Sequence, residues 1–463
     1  MKEQLSESKI KYLLEHLGHH ARIPEDLFSR FRFGATPEEG LALIYFPLSD
    51  LELDLPKLIY IDQIPILYPL ERKQEASYSM QGNTLVFHHD ILKSAFHLLS
   101  GYEEYQSEDA DLYGRFPFTS SLQHSLGIVE RPIVNYYFDI ILKGLEEFCS
   151  INKISFQRDP VFNQPILMLS HDIDTINAYH FFATGHKFKM LLGLAPSHYD
   201  LLGKFKVAFT SLYHLLNPFS RKNPFWNFDF LRKTVSDRGF LSTFYFLEKD
   251  GKYPNSRYHF HKKKVRKLIR ELCVSNFEVG LHGTIQSSFD QHAMDRTLKH
   301  LQAVAPEPVI GIRQHYLKYR VPTTTRIQEE AGLQYDTTLG FAEHEGFRNS
   351  YCWPFRLYDF ENEKAAGIWE IPLSAMDATL LGYRKLNFYQ CKESIENMVQ
   401  EVEKFNGIFA LLWHNTFFDE DRYPGITEFY LKLLDYLRNE GLKGITGREI
   451  IERIESHTIE ELD

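Results

Sequence analysis

Apolar residues fall into two rhythms along this chain, and the alternation between them predicts its architecture. From about residue 240 onward, strand-length apolar runs at 242–247, 277–281, 309–312, 368–371 and 408–413 alternate with stretches at 265–273, 294–304, 323–330 and 395–405 in which apolar positions return every three or four residues. Such alternation predicts parallel strands joined by crossover helices, in a doubly wound sheet or a barrel. An earlier run, Ile166-Leu-Met-Leu-Ser-His-Asp-Ile-Asp174, has the length and apolar content of a buried strand. Further upstream, 58–61 and 84–87 predict strands. Asp90 is placed to cap a helix carrying Ile91, Leu92, Ala95, Phe96, Leu99 and Tyr102 at helical spacing. Arg131-Pro-Ile133 opens a second amphipathic helix through Ile140, Ile141, Leu145 and Phe148, and 109–117 reads as an ordered loop.

At 463 residues the chain exceeds one ordinary core. The apolar pattern breaks between 152 and 164, at Lys153, Arg158, Asp159 and Pro160, which predicts an N-terminal accessory α/β domain over 1–160 and a larger α/β domain over 161–463. Within the second, 180–225 is a predicted helical insertion. Its bases Lys187, Lys189, Lys204, Lys206, Arg221 and Lys222 face only Asp200 in acid, among Met190, Leu191, Leu192, Leu201, Leu202, Leu215 and Phe219. Such a segment suits a lid over a site, the preferred reading, or a peripheral contact with an anionic membrane or polymer.

The run 166–174 ends in candidate chemistry. Residues two apart on a strand share a face, so Asp172 and Asp174 point the same way. Two carboxylates on one face repel and need a metal ion, a shared proton or basic neighbours. The plainer arrangement has Asp174 capping the next helix and Asp172 as a solvated strand end. Polar groups then recur at the C-terminal end of strand after strand: His282, Arg313 with His315, Asp336, and His414. A barrel gathers these on one rim, whereas a doubly wound sheet collects fewer at one crevice, so the barrel is expected. Taken singly, each histidine is more often a hydrogen-bonded structural residue; their joint placement is the signal. Carboxylate and imidazole donors suit zinc or another divalent metal, with Asp174 and His282 the expected ligands. Water on such an ion ionises near neutral pH, which is hydrolytic chemistry. Asp172 would take a proton from that water, His414 would protonate a leaving amine, and Arg313 would keep Asp172 ionised. His88 and His89, adjacent at a strand end, face opposite ways and are expected at the surface.

Composition narrows the class. With 43% hydrophobic and 25% charged residues the chain is globular, and a net charge of -10 argues against nucleic-acid binding. Aromatic content is 14%, high enough for a large core or a sugar-stacking surface, core being preferred. Cys149, Cys273, Cys352 and Cys391 lie far apart with no paired spacing, which fits a reducing compartment. The polar N-terminus lacks a leader pattern and no run is long enough for a membrane span, so a cytoplasmic location is expected.

The motifs His171-Asp-Ile-Asp174, Gly280-Leu-His282, Gly311-Ile-Arg313, Tyr335-Asp336 and Leu412-Trp-His414 together resemble the polysaccharide deacetylase superfamily, the NodB-homology domain, over residues 165–455. The resemblance implies a distorted (β/α)7 barrel and metal-dependent removal of acetyl groups from an N-acetylated sugar or polysaccharide. It makes Asp172 the general base, Asp174 and His282 metal ligands, Arg313 the base-orienting arginine, Asp336 its support and His414 the general acid. The family usually carries adjacent aspartates in its first motif and a second metal histidine four residues after the first. Here the first motif is Asp-Ile-Asp, and the later position is Gln286, followed by Ser287. The candidate replacements are His315, preferred because it lies two residues after Arg313, and His171. The segments 100–105 and 113–117 look like an accessory region of some bacterial relatives. A catalytically impaired barrel acting as a carbohydrate-binding or assembly module is the alternative, motivated by Gln286.

Overall fold

The computed structural model describes residues 3–460 except 39, 71–75, 196, 198, 218–222 and 252–254. Its N-terminal part carries β1 (Phe31–Phe33), β2 (Ile44–Phe46), β3 (Ile59–Ile61), β4 (Ile64–Ile66), β5 (Tyr78–Gln81) and β6 (Thr84–Phe87). β3 and β4 form an antiparallel hairpin, and the others a sheet of order β1-β2-β6-β5. The two predicted helices are present as Ile91–Leu99 and Ile133–Asn152. Asp90 caps the first, accepting from the Lys93 N–H at 2.9 Å. His89 corrects an expectation: it is buried rather than at the surface, and its Nδ1 accepts from the Leu70 N–H at 3.3 Å. An adjacent pair of histidines must point to opposite sides, and here one of those sides is the core.

The second part is built on a parallel sheet. It comprises β7 (Ile166–Ile173), β8 (Ser242–Leu247), β9 (Glu278–Gly283), β10 (Gly311–Gln314) and β11 (Tyr335–Asp336). After a small hairpin of β12 (Tyr358–Asp359) and β13 (Lys364–Ala365), it continues with β14 (Trp369–Glu370), β15 (Ala375–Met376), β16 (Ile408–Leu412) and β17 (Lys443–Gly444). The order is β14-β11-β10-β9-β8-β7-β16-β15, with β17 beside β7, and every pairing is parallel. The intervening helices bury their apolar stripes on the sheet, as at Lys263–Val274, where Val265, Leu268, Ile269 and Leu272 point inward.

The two ends of the sheet meet. Between β14 and β15 the Ile371 N–H donates to the Asp336 carbonyl at 2.9 Å and the Ser374 N–H donates to the Ala410 carbonyl at 3.0 Å, so one short segment bridges β11 to β16. The sheet is therefore curled, as a (β/α) barrel requires and a doubly wound sheet does not. Its interior is filled by rings. A Cβ on Gly280 would overlap the Tyr245 ring and one on Gly311 the Tyr335 ring, and the two hydroxyls meet at 2.9 Å.

One apolar core runs from the N-terminal helices into the barrel. The Tyr12 hydroxyl donates to the Arg356 carbonyl at 2.7 Å, and His20 Nε2 meets the Tyr351 hydroxyl at 2.7 Å. The predicted insertion is a helical hairpin, Phe181–Leu191 and Leu201–Leu216, with Phe219, Arg221 and Lys222 outside the described residues. It is tied to the body by the ion pair of Lys206 with Asp421 at 3.3 Å and by the Arg257 guanidinium 4.4 Å from the Phe182 ring centroid. Among the described residues no helix is long and apolar enough to cross a membrane.

Candidate metal centre and its surroundings

The C-terminal ends of β7, β9, β10 and β16 deliver the site. Asp172 lies on β7 and Asp174 just past it; His282 lies on β9, level with Arg313 on β10. His315 and His414 follow the ends of β10 and β16. Strand alternation turns Asp172 and Asp174 to one side, and both reach His282 Nε2, Asp172 Oδ2 at 3.6 Å and Asp174 Oδ1 at 3.2 Å. His315 Nε2 lies 3.9 Å from that same Asp174 oxygen, and His414 Nε2 lies 3.9 Å from Asp174 Oδ2. Residues spread over 240 positions thus meet at one carboxylate.

The donor set fits a divalent cation. Two ligands about 2.1 Å from a tetrahedral ion are about 3.4 Å apart, and the spacings of 3.2 and 3.9 Å around Asp174 Oδ1 bracket that value. Ligand atoms of Asp174, His282 and His315 all lie within 4.8 Å of one another. His282 Nδ1 donates to the Arg313 carbonyl at 2.7 Å, which orients the ring with Nε2 towards the carboxylate, the nitrogen a metal would take. Burial, with the charge of His282 and His414 nearby, pushes His315 down to about 4 against the pull of Asp174, so the ring is neutral at pH 7. His282 is shifted upward: burial opposes its charge, but Asp172 and Asp174 outweigh burial. Burial opposes ionisation of Asp174, yet the His282 hydrogen bond and three imidazoles hold it far below the usual carboxylate range. Among the described residues, two other groups have ligand-like spacing. In one, Glu248 already accepts from the Phe260 N–H at 3.0 Å and faces His300 Nδ1 at 2.7 Å; in the other, Glu345 is already engaged by Arg384 and Ser394.

Asp172 is held by a fully buried guanidinium. Arg313 Nη1 donates to Asp172 Oδ1 and to Ser170 Oγ, both at 2.9 Å, while Nε donates to the Thr337 carbonyl at 2.9 Å and Nη2 to Thr337 Oγ1 at 3.2 Å. The guanidinium lies over the Tyr245 ring, 4.8 Å from its centroid. The expected support from Asp336 is corrected here. Ile312 pairs with Asp336, so the following residue, Thr337, comes level with Arg313, and one step along a strand turns a side chain to the other face. Asp336 instead accepts from Gln328 Nε2 at 3.0 Å and from the Thr338 N–H and hydroxyl at 2.9 and 2.7 Å, beside Glu370. Burial raises both acids, and one proton shared between them relieves their repulsion. His171 also stands apart: it is on the opposite face of β7, its Nδ1 at 2.8 Å from the Trp413 carbonyl and its ring against Phe244. Gln286 is engaged with Asn255, whose Nδ2 donates to its Oε1 at 2.9 Å.

Three residues near the site escaped sequence reasoning. Asp377, fully buried after β15, has Oδ1 2.7 Å from His414 Nδ1 and its other oxygen on the His414 N–H. Burial opposes charge on His414, but Asp377 and then Asp174 and Asp172 overcome it and raise the ring to about 10. Tyr113 and Arg115 come from the N-terminal part. The Tyr113 ring stacks on Tyr316, next to His315, at 5.0 Å and 13°, and Arg115 Nη1 donates to the Tyr316 carbonyl at 3.0 Å. The motif 113–117 was visible, but its docking place was not.

A family model described as a family of unknown function (DUF7033) matches residues 2–150. No curated protein sequence matches significantly. Among solved structures, the chain is similar to a Mycobacterium smegmatis protein described as a polysaccharide deacetylase, at 15% identity and a TM-score of 0.42, covering 64% of this chain and 91% of that one. It is similar to PuuE allantoinase at 13% identity and a TM-score of 0.41, covering 63% and 90%, and to a CE4 family pseudoenzyme from Bacillus anthracis at 9% and 0.31, covering 62% and 66%.

Proposed function

We propose that the protein is a metal-dependent hydrolase that cleaves the carbon–nitrogen bond of an N-acetylated sugar or polysaccharide, within a distorted (β/α)7 barrel in which β14 and β15 form one interrupted stave. The observation that carries the reading is the convergence of Asp174, His282 and His315, at 3.2 and 3.9 Å spacing, between the Arg313-bound Asp172 and the Asp377-bound His414. Asp174, His282 and His315 hold the cation, zinc being the best match to two imidazoles and a carboxylate. When bound, it polarises the acyl carbonyl and acidifies water.

Asp172 accepts the proton of the attacking water; Arg313 engages one of its oxygens and fixes the direction of the other. Water oxygen bonds to the acyl carbon, and the C–N bond then breaks as His414 Nε2 gives its proton to the leaving nitrogen, releasing acetate and an amino sugar. Asp377 keeps the His414 Nδ1 proton in place and holds the ring protonated until that step. The N-terminal unit, taken as an accessory domain over 1–160, contributes Tyr113 and Arg115 to the rim, where the exposed Tyr113, Tyr316 and Tyr383 rings suit a pyranose face.

Turnover of a chromogenic or mass-detected N-acetylated oligosaccharide by protein loaded with zinc, cobalt or nickel tests this. Asp172→Asn is expected to abolish turnover with metal content unchanged; full activity in that variant, or metal content far below one equivalent after loading, refutes it. A second reading, a barrel that binds carbohydrate without hydrolysing it, is favoured by Gln286 at the family's histidine position and its engagement with Asn255. It predicts sugar binding equal in wild type and Asp172→Asn with no turnover in either.

A further inference from the structure

The helical hairpin Phe181–Leu191 and Leu201–Leu216 is built inside out. A helix on a water-soluble protein turns its large apolar side chains to the core. Here the residues buried between the two helices are small: Thr184, Ala208 and Ser211, with the Thr184 and Ser211 hydroxyls 2.8 Å apart. Phe188 reaches across to Phe209, 5.7 Å between ring centroids, but many of the large ones face outward. Leu201, Phe205, Phe209 and Tyr213, four apart along one stripe, are exposed, as are Leu202 at 78% and Phe181 at 75%. Of the 24 large apolar side chains exposed among the described residues, ten lie between 181 and 216. Small residues at a helix contact with large apolar residues outside it is the packing of helices surrounded by lipid.

Charge points the same way. The chain carries a net charge of -10, yet from 181 to 217 its one acid is Asp200, spent on capping the second helix through the Gly203 N–H at 2.7 Å. Lys187, Lys189, Lys204 and Lys206 lie in the same stretch. The helices have 11 and 16 residues; at 1.5 Å per residue they are about 16 and 24 Å long, short of the roughly 30 Å of a bilayer core. Lys206 is paired with Asp421 and Lys187 lines the cavity facing Asp419 and Asp421, so the helices suit shallow insertion with Lys189 and Lys204 at the headgroups. A cavity of about 390 Å³ between the hairpin and the loop after His414 is lined by Tyr179, Tyr199, Lys187 and Arg422 among others, and none of Leu201, Phe205, Phe209 and Tyr213 lines it.

We propose that this hairpin is a membrane-docking element that inserts its outward apolar stripe into an anionic lipid surface and brings the barrel rim to it. The docking stands whether or not the site hydrolyses sugars. Flotation of the full chain with phosphatidylcholine vesicles containing 30% phosphatidylglycerol, against pure phosphatidylcholine, at 50 and 500 mM NaCl, tests it. Binding is expected to the anionic vesicles, to weaken with salt, and to fall at least tenfold in Phe205→Glu/Phe209→Glu, whose circular dichroism should match wild type. Lys189→Glu/Lys204→Glu, which leaves the apolar stripe intact, should lose the preference for anionic vesicles. Asp172→Asn should float as wild type does, which separates this result from the hydrolase reading. No flotation of wild type, unchanged flotation of Phe205→Glu/Phe209→Glu, or a wild-type dimer in solution that this variant breaks while no vesicles are bound, overturns the proposal.

Discussion

Substituting His315 tests the centre at the point where the chain departs from the family it resembles. If the ion is held by Asp174, His282 and His315, then His315→Ala removes one donor of three. Structural zinc sites with four donors are worth about 10–16 kcal/mol, so a single donor carries about 3 kcal/mol, roughly a hundredfold in Kd. Removing the ring leaves no hydrogen-bond partner orphaned among the described residues, since its Nε2 is 3.9 Å from Asp174 and its Nδ1 has no partner there, so the cost to folding is the small cavity beside His282 and Tyr316. A folded variant with weakened metal affinity is therefore expected, read by competition with a chromogenic zinc chelator at pH 7.5 and by an unchanged far-UV spectrum. His171→Gln is the matched control, because His171 lies across β7 with its Nδ1 at the Trp413 carbonyl. It should leave Kd within a factor of two or so. The reasoning fails if His315→Ala binds zinc as wild type does, and the ligand assignment reverses if His171→Gln is the weakened variant.

Three further outcomes follow from the same geometry. Arg313→Lys keeps the charge but loses the fork that joins Asp172, Ser170 and Thr337, leaving a buried carbonyl unpaired; urea denaturation should show a loss of about 2–3 kcal/mol, with kcat falling more than zinc affinity. Glu103 is raised to about 8, by burial first and by Glu104 second, so the folded state holds a proton that the unfolded chain gives up near pH 4.5, and stability contributed by this group is lost as pH rises towards 8. Glu103→Gln should therefore gain stability relative to wild type between pH 6 and 7.5 by about 2 kcal/mol in urea unfolding, and parallel pH profiles would contradict it. Tyr113→Ala removes the stacked partner of Tyr316 at the rim and should raise KM for an oligosaccharide several-fold with little change in kcat; an unchanged KM would show that the N-terminal part stays clear of substrate.

What was legible in the sequence follows from what strand geometry makes local. Asp172 and Asp174 share a face because of a period of two, and the parallel order β7-β8-β9-β10 brings the ends that carry His282 and Arg313 to one rim whatever the loops between them do. Asp336 shows where that logic stops. No apolar run marks its two-residue strand, only the place of Asp336 at a strand end, and which side chain supports Arg313 depends on register: a shift of one residue hands the contact to Thr337. Asp377 lies beyond even register: it follows the two-residue strand β15, too short for any periodicity, and its partner His414 is 37 residues away. The hairpin at 181–216 fails for a different reason. Its pattern of large and small residues marks two faces but not which of them meets the protein, since a stripe of leucine and phenylalanine is a core face in water and an outer face in lipid. The burial of Thr184, Ala208 and Ser211 shows which face meets the neighbouring helix, and that information is not in the pattern itself.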